Sequence, residues 1–429
     1  MPRWLTRKNI ITTKIRLRNI KTLIIVDDYI PDSKKAGATM MHDLAKEYVL
    51  NGHEVNVITP SNNIIQKFQI LDIDGVRVYQ FKSGKIKNIN KVVRLFNEML
   101  LPYRAWKHLK FFFRKNKHDN IIYYSPTIFF GLLVNRLKKL WNATSFLVLR
   151  DSFPQWLVDS RIIKQNSPTH KFFQYFENIN YRNADHIGLM SQANLEFFNK
   201  NFPYYKNRSI ILHNWITKTR KLPLKNSFRT KFDLQNKVIF FYGGNIGLAQ
   251  DVLSIAKLAK EISKLPKAFF VIVGDGDEFL NVKKFIKKNK LKNIILLPSV
   301  SKEEFNDMLQ ESDIGLFTIN NLHKSHNFPG KILEYLNYNK PMLGTLNEKN
   351  DLKKIIEYYE VGLVSYAGDS KVFYDHARRM LNDSTRNKFS TNLQYALDEV
   401  FSTKIAYKTI QKYSNKEIFA NNTFQSKLS

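Results

Sequence analysis

A lysine and a glutamate at the start of a predicted helix are the side chains best placed to do chemistry. In HNFPGKILEYLNYNKP (326–341), Phe328–Gly330 predict a turn and 331–338 a helix. A cation is unfavourable in the first turn of a helix, so Lys331 makes sense there if an anion binds beside it. Glu334 follows one turn later near the same face, where its carboxylate could accept two hydrogen bonds from a vicinal diol such as ribose. Without further context, solvent-exposed helix charges remain the favoured interpretation of both residues.

A glycine-rich turn follows an apolar strand earlier in the same half. VIFFYGGNIGLAQD (238–251) passes through Gly243, Gly244 and Gly247 into a helix that we expect to begin near Ala249. Glycines let the backbone approach a ligand, and a helix N-terminus offers N–H groups and a partial positive charge. The turn therefore suits a phosphate, although the need for a tight turn explains the glycines equally well.

A second glycine turn carries two aspartates. In VGDGDE (273–278), Asp275 and Asp277 have the D-x-D spacing of a metal-binding pair. Gly274 and Gly276, however, place them in a sharp turn before a helix, where Asp is favoured as a cap. We therefore expect a turn with a helix cap and no metal site.

Both halves of the chain alternate β-rich runs with helical patterns, which predicts an α/β fold of parallel sheets with covering helices. We predict two Rossmann-like, doubly wound domains that face each other across a cleft, with ligands beyond the carboxyl ends of the strands. The predicted units are a basic extension (1–20), an N-terminal domain (21–215), a linker (216–236) and a C-terminal domain (237–383). A helix with a polar tail (384–429) follows, and we expect it to cross back to the N-terminal domain.

The composition narrows the choice of partner. The chain has 429 residues and a formal net charge of +31, which indicates nucleic acid, an acidic membrane face or phosphorylated substrates. The basic residues are spread along the chain without a helix-turn-helix, zinc or RRM signature, so we expect no nucleic acid. The lack of cysteine excludes a disulfide framework and thiol catalysis. The metalloprotease, P-loop and α/β-hydrolase motifs are also missing from the sequence.

Two basic, aromatic stretches suggest a membrane surface. The start of the chain (1–21) has charges that interrupt any signal-peptide core, and no run approaches the ~20 apolar residues of a spanning helix. That start and YRAWKHLKFFFRKNKH (103–118) both suit helices that lie on an anionic bilayer. Core filling by Phe111–Phe113 is an equally good interpretation of that triplet. We expect a cytoplasmic protein that is peripheral at the inner face of the plasma membrane.

In their order, the three C-terminal segments resemble the C-terminal domain of GT-B glycosyltransferases, specifically the retaining, nucleotide-sugar-dependent family 4. The loop Ala36–Ala38 followed by NGHEVNVIT resembles that family's first β-α-β unit, so the resemblance covers roughly residues 20–400. LVLRDSFPQWLVDSRII (147–163) resembles a subset that acts in O-antigen, capsule and exopolysaccharide assembly and is similar to L-fucosamine transferases.

The resemblance implies a GT-B fold and a reaction. A sugar, expected to be N-acetylated or deoxyamino, would pass from a nucleotide diphosphate donor, expected to be UDP-linked, to an undecaprenyl-diphosphate-linked saccharide with retention. Neither a metal nor a cofactor is expected. Lys331 would stabilise the diphosphate and Glu334 would bind the ribose. Asp151 would position the acceptor or handle its proton, with an N-cap for a helix at 153–159 as its alternative role. The other implied donor-binding residues are Gly37, Gly244, Asn245, Gly247, Gln250, Asp275, His326 and Gly330.

This chain departs from the family pattern at two places. Asn245 and Gln250 stand where many members have Arg and Lys, and His326 replaces the first Glu of the E-x7-E motif. Sugar recognition should therefore differ, with His326 or the backbone of Phe328–Gly330 in that role. Two rival functions remain open at this point, a GT-B nucleotide-sugar epimerase and a basic nucleic-acid-binding protein.

Overall fold

The computed structural model describes residues 19–33, 35–86, 89–150, 153–154, 158, 163–219, 223–224, 227–321 and 327–414. The tail after residue 414 and almost all of the basic N-terminal extension lie outside this range. So do Asp151 and His326, two of the side chains that the sequence singles out.

The first part of the chain forms an eight-stranded sheet in the order β3-β4-β2-β1-β5-β6-β7-β8. All neighbouring strands are parallel except the β3–β4 pair, which is an antiparallel hairpin. The strands are β1 (Lys21–Ile25), β2 (Glu54–Ser61), β3 (Phe68–Ile73), β4 (Val76–Lys82), β5 (Asn120–Ser125), β6 (Thr144–Leu149), β7 (His186–Leu189) and β8 (Ser209–Ile211).

Helices cover both faces of this sheet, because its strands are apolar on both sides. The helices of this part are α1 (Ala36–Leu50), α2 (Lys91–Met99), α3 (Leu101–Lys115), α4 (Gly131–Trp141), α5 (Pro168–Arg182) and α6 (Gln192–Asn201). One core contains Leu109 of α3 and Leu133 of α4. The core on the opposite face contains Met41 of α1.

The second part forms a six-stranded, fully parallel sheet in the order β11-β10-β9-β12-β13-β14. Its strands are β9 (Val238–Gly243), β10 (Ala268–Val273), β11 (Ile294–Leu297), β12 (Ile314–Thr318), β13 (Met342–Leu346) and β14 (Gly362–Tyr366). The strand order reverses between β9 and β12, and ligands of doubly wound sheets bind at such a switch point.

The second sheet is also covered on both faces, which confirms the predicted α/β fold class. The helices here are α7 (Phe228–Lys231), α8 (Val252–Glu261), α9 (Phe279–Lys288), α10 (Lys302–Glu311), α11 (Lys331–Asn337), α12 (Leu352–Tyr358), α13 (Ser370–Met380) and α14 (Asp383–Ala396). A last helix, α15 (Thr403–Ser414), packs against α1 of the first sheet, where the Tyr407 hydroxyl lies 2.8 Å from His53 Nε2.

Two local predictions were wrong. The helix after the first glycine turn begins at Val252 instead of near Ala249, because a 3-10 turn at Leu248–Gln250 and a left-handed Asp251 (φ 42°) precede it. The aspartates of the second turn do not cap α9, because Glu278 holds the N-cap position without a side-chain hydrogen bond.

Candidate functional site

The first glycine turn lies at the switch point of the second sheet, between the carboxyl ends of β9 and β12. Asn320, just after β12, donates its backbone N–H to the Ala249 carbonyl over 2.9 Å and its side-chain amide to Leu248 over 3.1 Å. The Thr318 hydroxyl also donates to the Gln250 carbonyl. These bonds fix the glycine turn against the neighbouring strand.

The second glycine turn packs directly against the first. The N–H groups of Gly244 and Ile246 donate to the carbonyls of Val273 and Asp275, both over 2.9 Å. A Cβ at Gly274 would lie 1.8 Å from the Gly244 carbonyl oxygen, and the backbone there has φ +154°. Glycine is therefore required at 274 so that the two turns can touch. The Gly244 N–H is already engaged, so its contribution to a ligand site is the space left by the missing side chain.

Lys331, the first residue of α11, points into that space. A Cβ at Gly244 would lie 3.9 Å from the Lys331 Nζ, and the ammonium sits 3.4 Å from the centroid of the Tyr242 ring. In the described part of the chain, no carboxylate forms an ion pair with it. Burial lowers the pKa of the Lys331 ammonium because the charged form loses its hydration. An anion bound at the glycine turn would supply the missing counter-charge.

Glu334 lies one turn after Lys331 and remains accessible. Its carboxylate accepts a charged hydrogen bond of 3.2 Å from Lys302 of α10, and the two side chains are 32% and 60% exposed, respectively. The structure thus places Lys331 and Glu334 on one helix beside the glycine turn. Glu334 has a lysine partner that the sequence did not predict.

Asn245 and Gln250 stand where the family that the sequence resembles often has cations, and here they bind each other. The Asn245 amide donates to Gln250 Oε1 over 2.8 Å. A Cβ at Gly247 would lie 2.7 Å from that amide nitrogen, so a side chain at Gly247 would displace the pair. The pair adds no positive charge to the site. Of the residues that the sequence singles out and the structure describes, Lys331 is the cation that lies at the first glycine turn.

The other residues predicted for the site lie in different parts of the fold. Asp275 accepts the backbone N–H of Ser299 over 3.2 Å within the second glycine turn. Gly330 precedes α11 with nothing within 4 Å of a would-be Cβ. Gly37 lies in the first turn of α1 in the N-terminal domain, where a Cβ would lie 2.9 Å from the Tyr124 hydroxyl. Asp151 and His326 lie outside the described residues, so their predicted roles stay predictions.

The particular residue pairs that join the two domains were not predicted from the sequence. The Asp351 carboxylate accepts the N–H groups of Gln192 (2.9 Å) and Ala193 (3.4 Å) at the start of α6. Phe328, expected only as part of a turn, is buried and stacks on His213 with ring centroids 5.6 Å apart. Such pairs are separated by more than a hundred residues, so no local pattern could reveal them.

Two structural features of the described residues concern metals and membranes. No group of three or more His, Asp or Glu side chains there is arranged to hold a metal ion. None of the described helices combines the length and the apolar character that crossing a membrane requires.

Residues 225–395 match the family model described as "Glycosyl transferases group 1". Among curated proteins, the probable glycosyltransferase WbjE of Pseudomonas aeruginosa is 22% identical over 219 residues, which is 50% of this chain and 54% of that protein. An uncharacterized glycosyltransferase of Methanocaldococcus jannaschii is 26% identical over 275 residues, 58% of this chain and 63% of the relative. The chain therefore spans less than two thirds of either relative.

Solved structures agree over nearly the whole chain. Sucrose-phosphate synthase from Thermosynechococcus elongatus superposes with a TM-score of 0.69 at 12% identity, covering 94% of this chain and 100% of the other. HepE of Anabaena in complex with UDP gives 0.64 at 14% identity, with 92% and 99% covered. WaaG, a glycosyltransferase involved in lipopolysaccharide biosynthesis, gives 0.61 at 12%, with 92% and 100% covered. The chain thus has the GT-B fold, and residues 225–395 within it match the glycosyl transferases group 1 model.

Proposed function

We propose that this protein is a nucleotide-sugar-dependent glycosyltransferase that retains the anomeric configuration. The observation that carries the proposal is the Lys331 ammonium, which lies over the Tyr242 ring and faces the open side of Gly244 at the switch point of the second sheet. A nucleoside diphosphate bound there would place its charge beside the lysine. The group 1 match over residues 225–395 supports the same assignment for this half of the chain.

The reaction breaks the bond between the anomeric carbon of the donor sugar and the diphosphate oxygen. The nucleoside diphosphate leaves with the electron pair. An acceptor hydroxyl forms the new glycosidic bond on the same face of the sugar and gives its proton to the departing diphosphate oxygen. Lys331 stabilises the charge that develops on the leaving group, more strongly than it could in water because its surroundings are desolvated. Glu334 binds the ribose hydroxyls next to Lys302. Asp151 keeps its proposed role at the acceptor hydroxyl.

The finer substrate assignment rests on the family resemblance. We propose a UDP-linked donor with an N-acetylated or deoxyamino sugar, and an undecaprenyl-diphosphate-linked saccharide as the acceptor in surface polysaccharide synthesis. The UDP complex of HepE and the lipopolysaccharide role of WaaG support these choices. We propose retention of the anomeric configuration because family 4, which the chain resembles, is retaining.

Thermal unfolding with UDP, GDP and UDP-sugars tests the donor site, because a ligand that binds the native state raises the melting temperature. At a concentration of ~100 times the dissociation constant, the expected stabilisation is about 2.7 kcal/mol. Wild type and Lys354→Ala, which removes an exposed lysine from α12, should gain this stability. Lys331→Ala should lose most of it. Full stabilisation of Lys331→Ala, or none of wild type by any nucleotide, would refute the donor site.

We also propose that the protein works at the anionic inner face of the plasma membrane and docks through α2 and α3. Along one face of α3, exposed aromatic side chains alternate with exposed cations in the order Tyr103, Lys107, Phe111, Arg114. Tyr103 is 62% and Phe111 is 67% exposed, and α3 contains no acidic residue. Phe96 on α2 adds a further exposed apolar side chain. Such a surface suits anionic headgroups, since its rings can enter the interface while its cations meet the phosphates.

Co-sedimentation with phosphatidylglycerol-containing vesicles tests this docking surface. We expect binding at low salt, weaker binding in high salt, and a clear loss in the Phe96→Ser/Phe111→Ser double variant. Leu280→Ser is the matched control, because Leu280 is equally exposed on α9 of the other domain. Equal binding of all three proteins would place the membrane contact elsewhere, and no binding to anionic vesicles would refute peripheral attachment.

A further inference from the structure

Tyr242 contacts both halves of the proposed anion site. It is the penultimate residue of β9 and is fully buried. Its ring faces the Lys331 ammonium, with 3.4 Å between Nζ and the ring centroid. Its hydroxyl donates to the Asn245 carbonyl in the glycine turn over 2.6 Å. One side chain therefore joins the turn to the lysine.

An aromatic partner has a different consequence for Lys331 than a carboxylate would have. A carboxylate would neutralise the ammonium and compete with an incoming diphosphate. The face of a phenol ring attracts a cation through its quadrupole but carries no net charge. Burial also raises the pKa of the Tyr242 hydroxyl, so the ring stays neutral. Tyr242 thus holds the ammonium in place while its positive charge remains available to a ligand.

The hydroxyl of the same residue restrains the other half of the site. The Asn245 carbonyl that accepts it lies between Gly244 and Gly247, the glycines that leave room for a ligand. Any movement of the turn relative to β9 would break this bond. Fixing the turn and the ammonium from one ring sets the distance between them, and preorganised charge is what an anion site needs.

We propose that Tyr242 is the positioning residue of the donor diphosphate site and sets the geometry of Lys331 against the glycine turn. This inference rests on the proposed function, because it concerns the same site. Tyr242 would act on the diphosphate through Lys331 and the turn and would not contact it directly, so it is not a catalytic residue.

Tyr123 of β5 provides a matched control. It is fully buried in a core of the first domain, and its hydroxyl donates to the Asn180 carbonyl over 2.6 Å. Loss of the Tyr123 hydroxyl therefore removes a buried hydrogen bond of the same kind and length, but in the domain that does not contain the glycine turn or Lys331.

The experiment measures UDP affinity of the full chain by calorimetry as a function of pH. Affinity should fall where Lys331 loses its proton. Tyr242→Met, which removes the ring face and the hydroxyl, should weaken UDP binding at least tenfold and move this fall to lower pH. Tyr242→Phe should keep the midpoint of wild type and weaken binding a few-fold. Tyr123→Phe should lower the melting temperature and leave both affinity and midpoint unchanged.

The outcomes separate the two proposals. If wild type binds UDP and Tyr242→Met matches it in affinity and midpoint, the role of Tyr242 is refuted and the proposed function stands. If Tyr242→Met does not fold, Tyr242→Phe decides, since unchanged affinity there refutes the restraint on the turn. If wild type binds neither UDP nor GDP, the donor site itself is wrong and the inference fails with it.

Discussion

Glu177 is a carboxylic acid enclosed within the first domain. It lies on α5, is 3% exposed, and accepts a hydrogen bond of 2.7 Å from the Tyr181 hydroxyl. Burial raises the pKa of its carboxyl group from the usual 4.5 to about 8, because the ionised form loses its hydration. The burial of Glu177 and its raised pKa could not be predicted from the sequence, because Glu177 lies in an ordinary amphipathic helix whose inward face is defined only by packing.

This raised pKa predicts a stability that falls as pH rises. Between pH 4.5 and about 8 the folded protein holds the Glu177 proton while the unfolded chain has released it. The free energy of unfolding should therefore decrease across that window. Glu177→Gln should flatten the decrease and be the more stable protein at pH 8, as measured by urea unfolding at pH 5 and pH 8. Glu196→Gln, an exposed carboxylate on α6, is the control and should follow wild type. Parallel curves for Glu177→Gln and wild type would contradict the assignment.

Lys331 and Glu334 are residues that could be proposed for the site from the sequence alone. Their position in the first turn of a helix and the order of the glycine turns were enough to predict them as candidates. The Tyr242 ring beneath Lys331 was not predictable, because Tyr242 belongs to a uniformly apolar strand. Only the packing of α11 against β9 reveals that this ring faces the ammonium.

The strands and helices of both sheets were largely predictable from apolar runs and glycine turns. The missed β3–β4 hairpin had a recognisable signal, since Asp74-Gly75 separates two alternating segments and both residues have positive φ. The start of α8 had no such signal. It depends on a left-handed Asp251, which directly follows the segment Leu248–Gln250 that Thr318 and Asn320 bind at the end of β12.

The close contact of the two glycine turns predicts a sharp difference between two glycine substitutions. Gly274→Ala should destabilise the protein by roughly 3 kcal/mol or more, because its Cβ would collide with the Gly244 carbonyl at a φ that alanine avoids. Gly330→Ala, at a φ of −58° with open space around the Cβ, should change the free energy of unfolding by less than about 0.5 kcal/mol. Chemical denaturation of both variants measures this, and equal stabilities would show that the turns do not touch.

At the scale of the whole molecule, the proposed donor site and the contacts between the domains are separable. The glycine turns, Lys331 and Glu334 all belong to the second sheet and its helices. The contacts made by Asp351 and Phe328 instead join this unit to the first domain. Donor binding should therefore need one domain, whereas transfer to an acceptor should need both domains in their correct relative positions.

Replacement of Asp351 tests this separation. Asp351→Ala removes the carboxylate that accepts two N–H groups at the start of α6, so the domains should dock less firmly. We expect UDP affinity within about twofold of wild type, since the donor site is intact, and a severalfold lower transfer rate. Asp369→Ala is the matched control, because Asp369 caps α13 within the second domain by accepting the Val372 N–H over 3.1 Å. That variant should lose stability by about 1 kcal/mol and keep the transfer rate. If Asp351→Ala transfers sugar as fast as Asp369→Ala, the contact to α6 is not part of the working arrangement of the two domains.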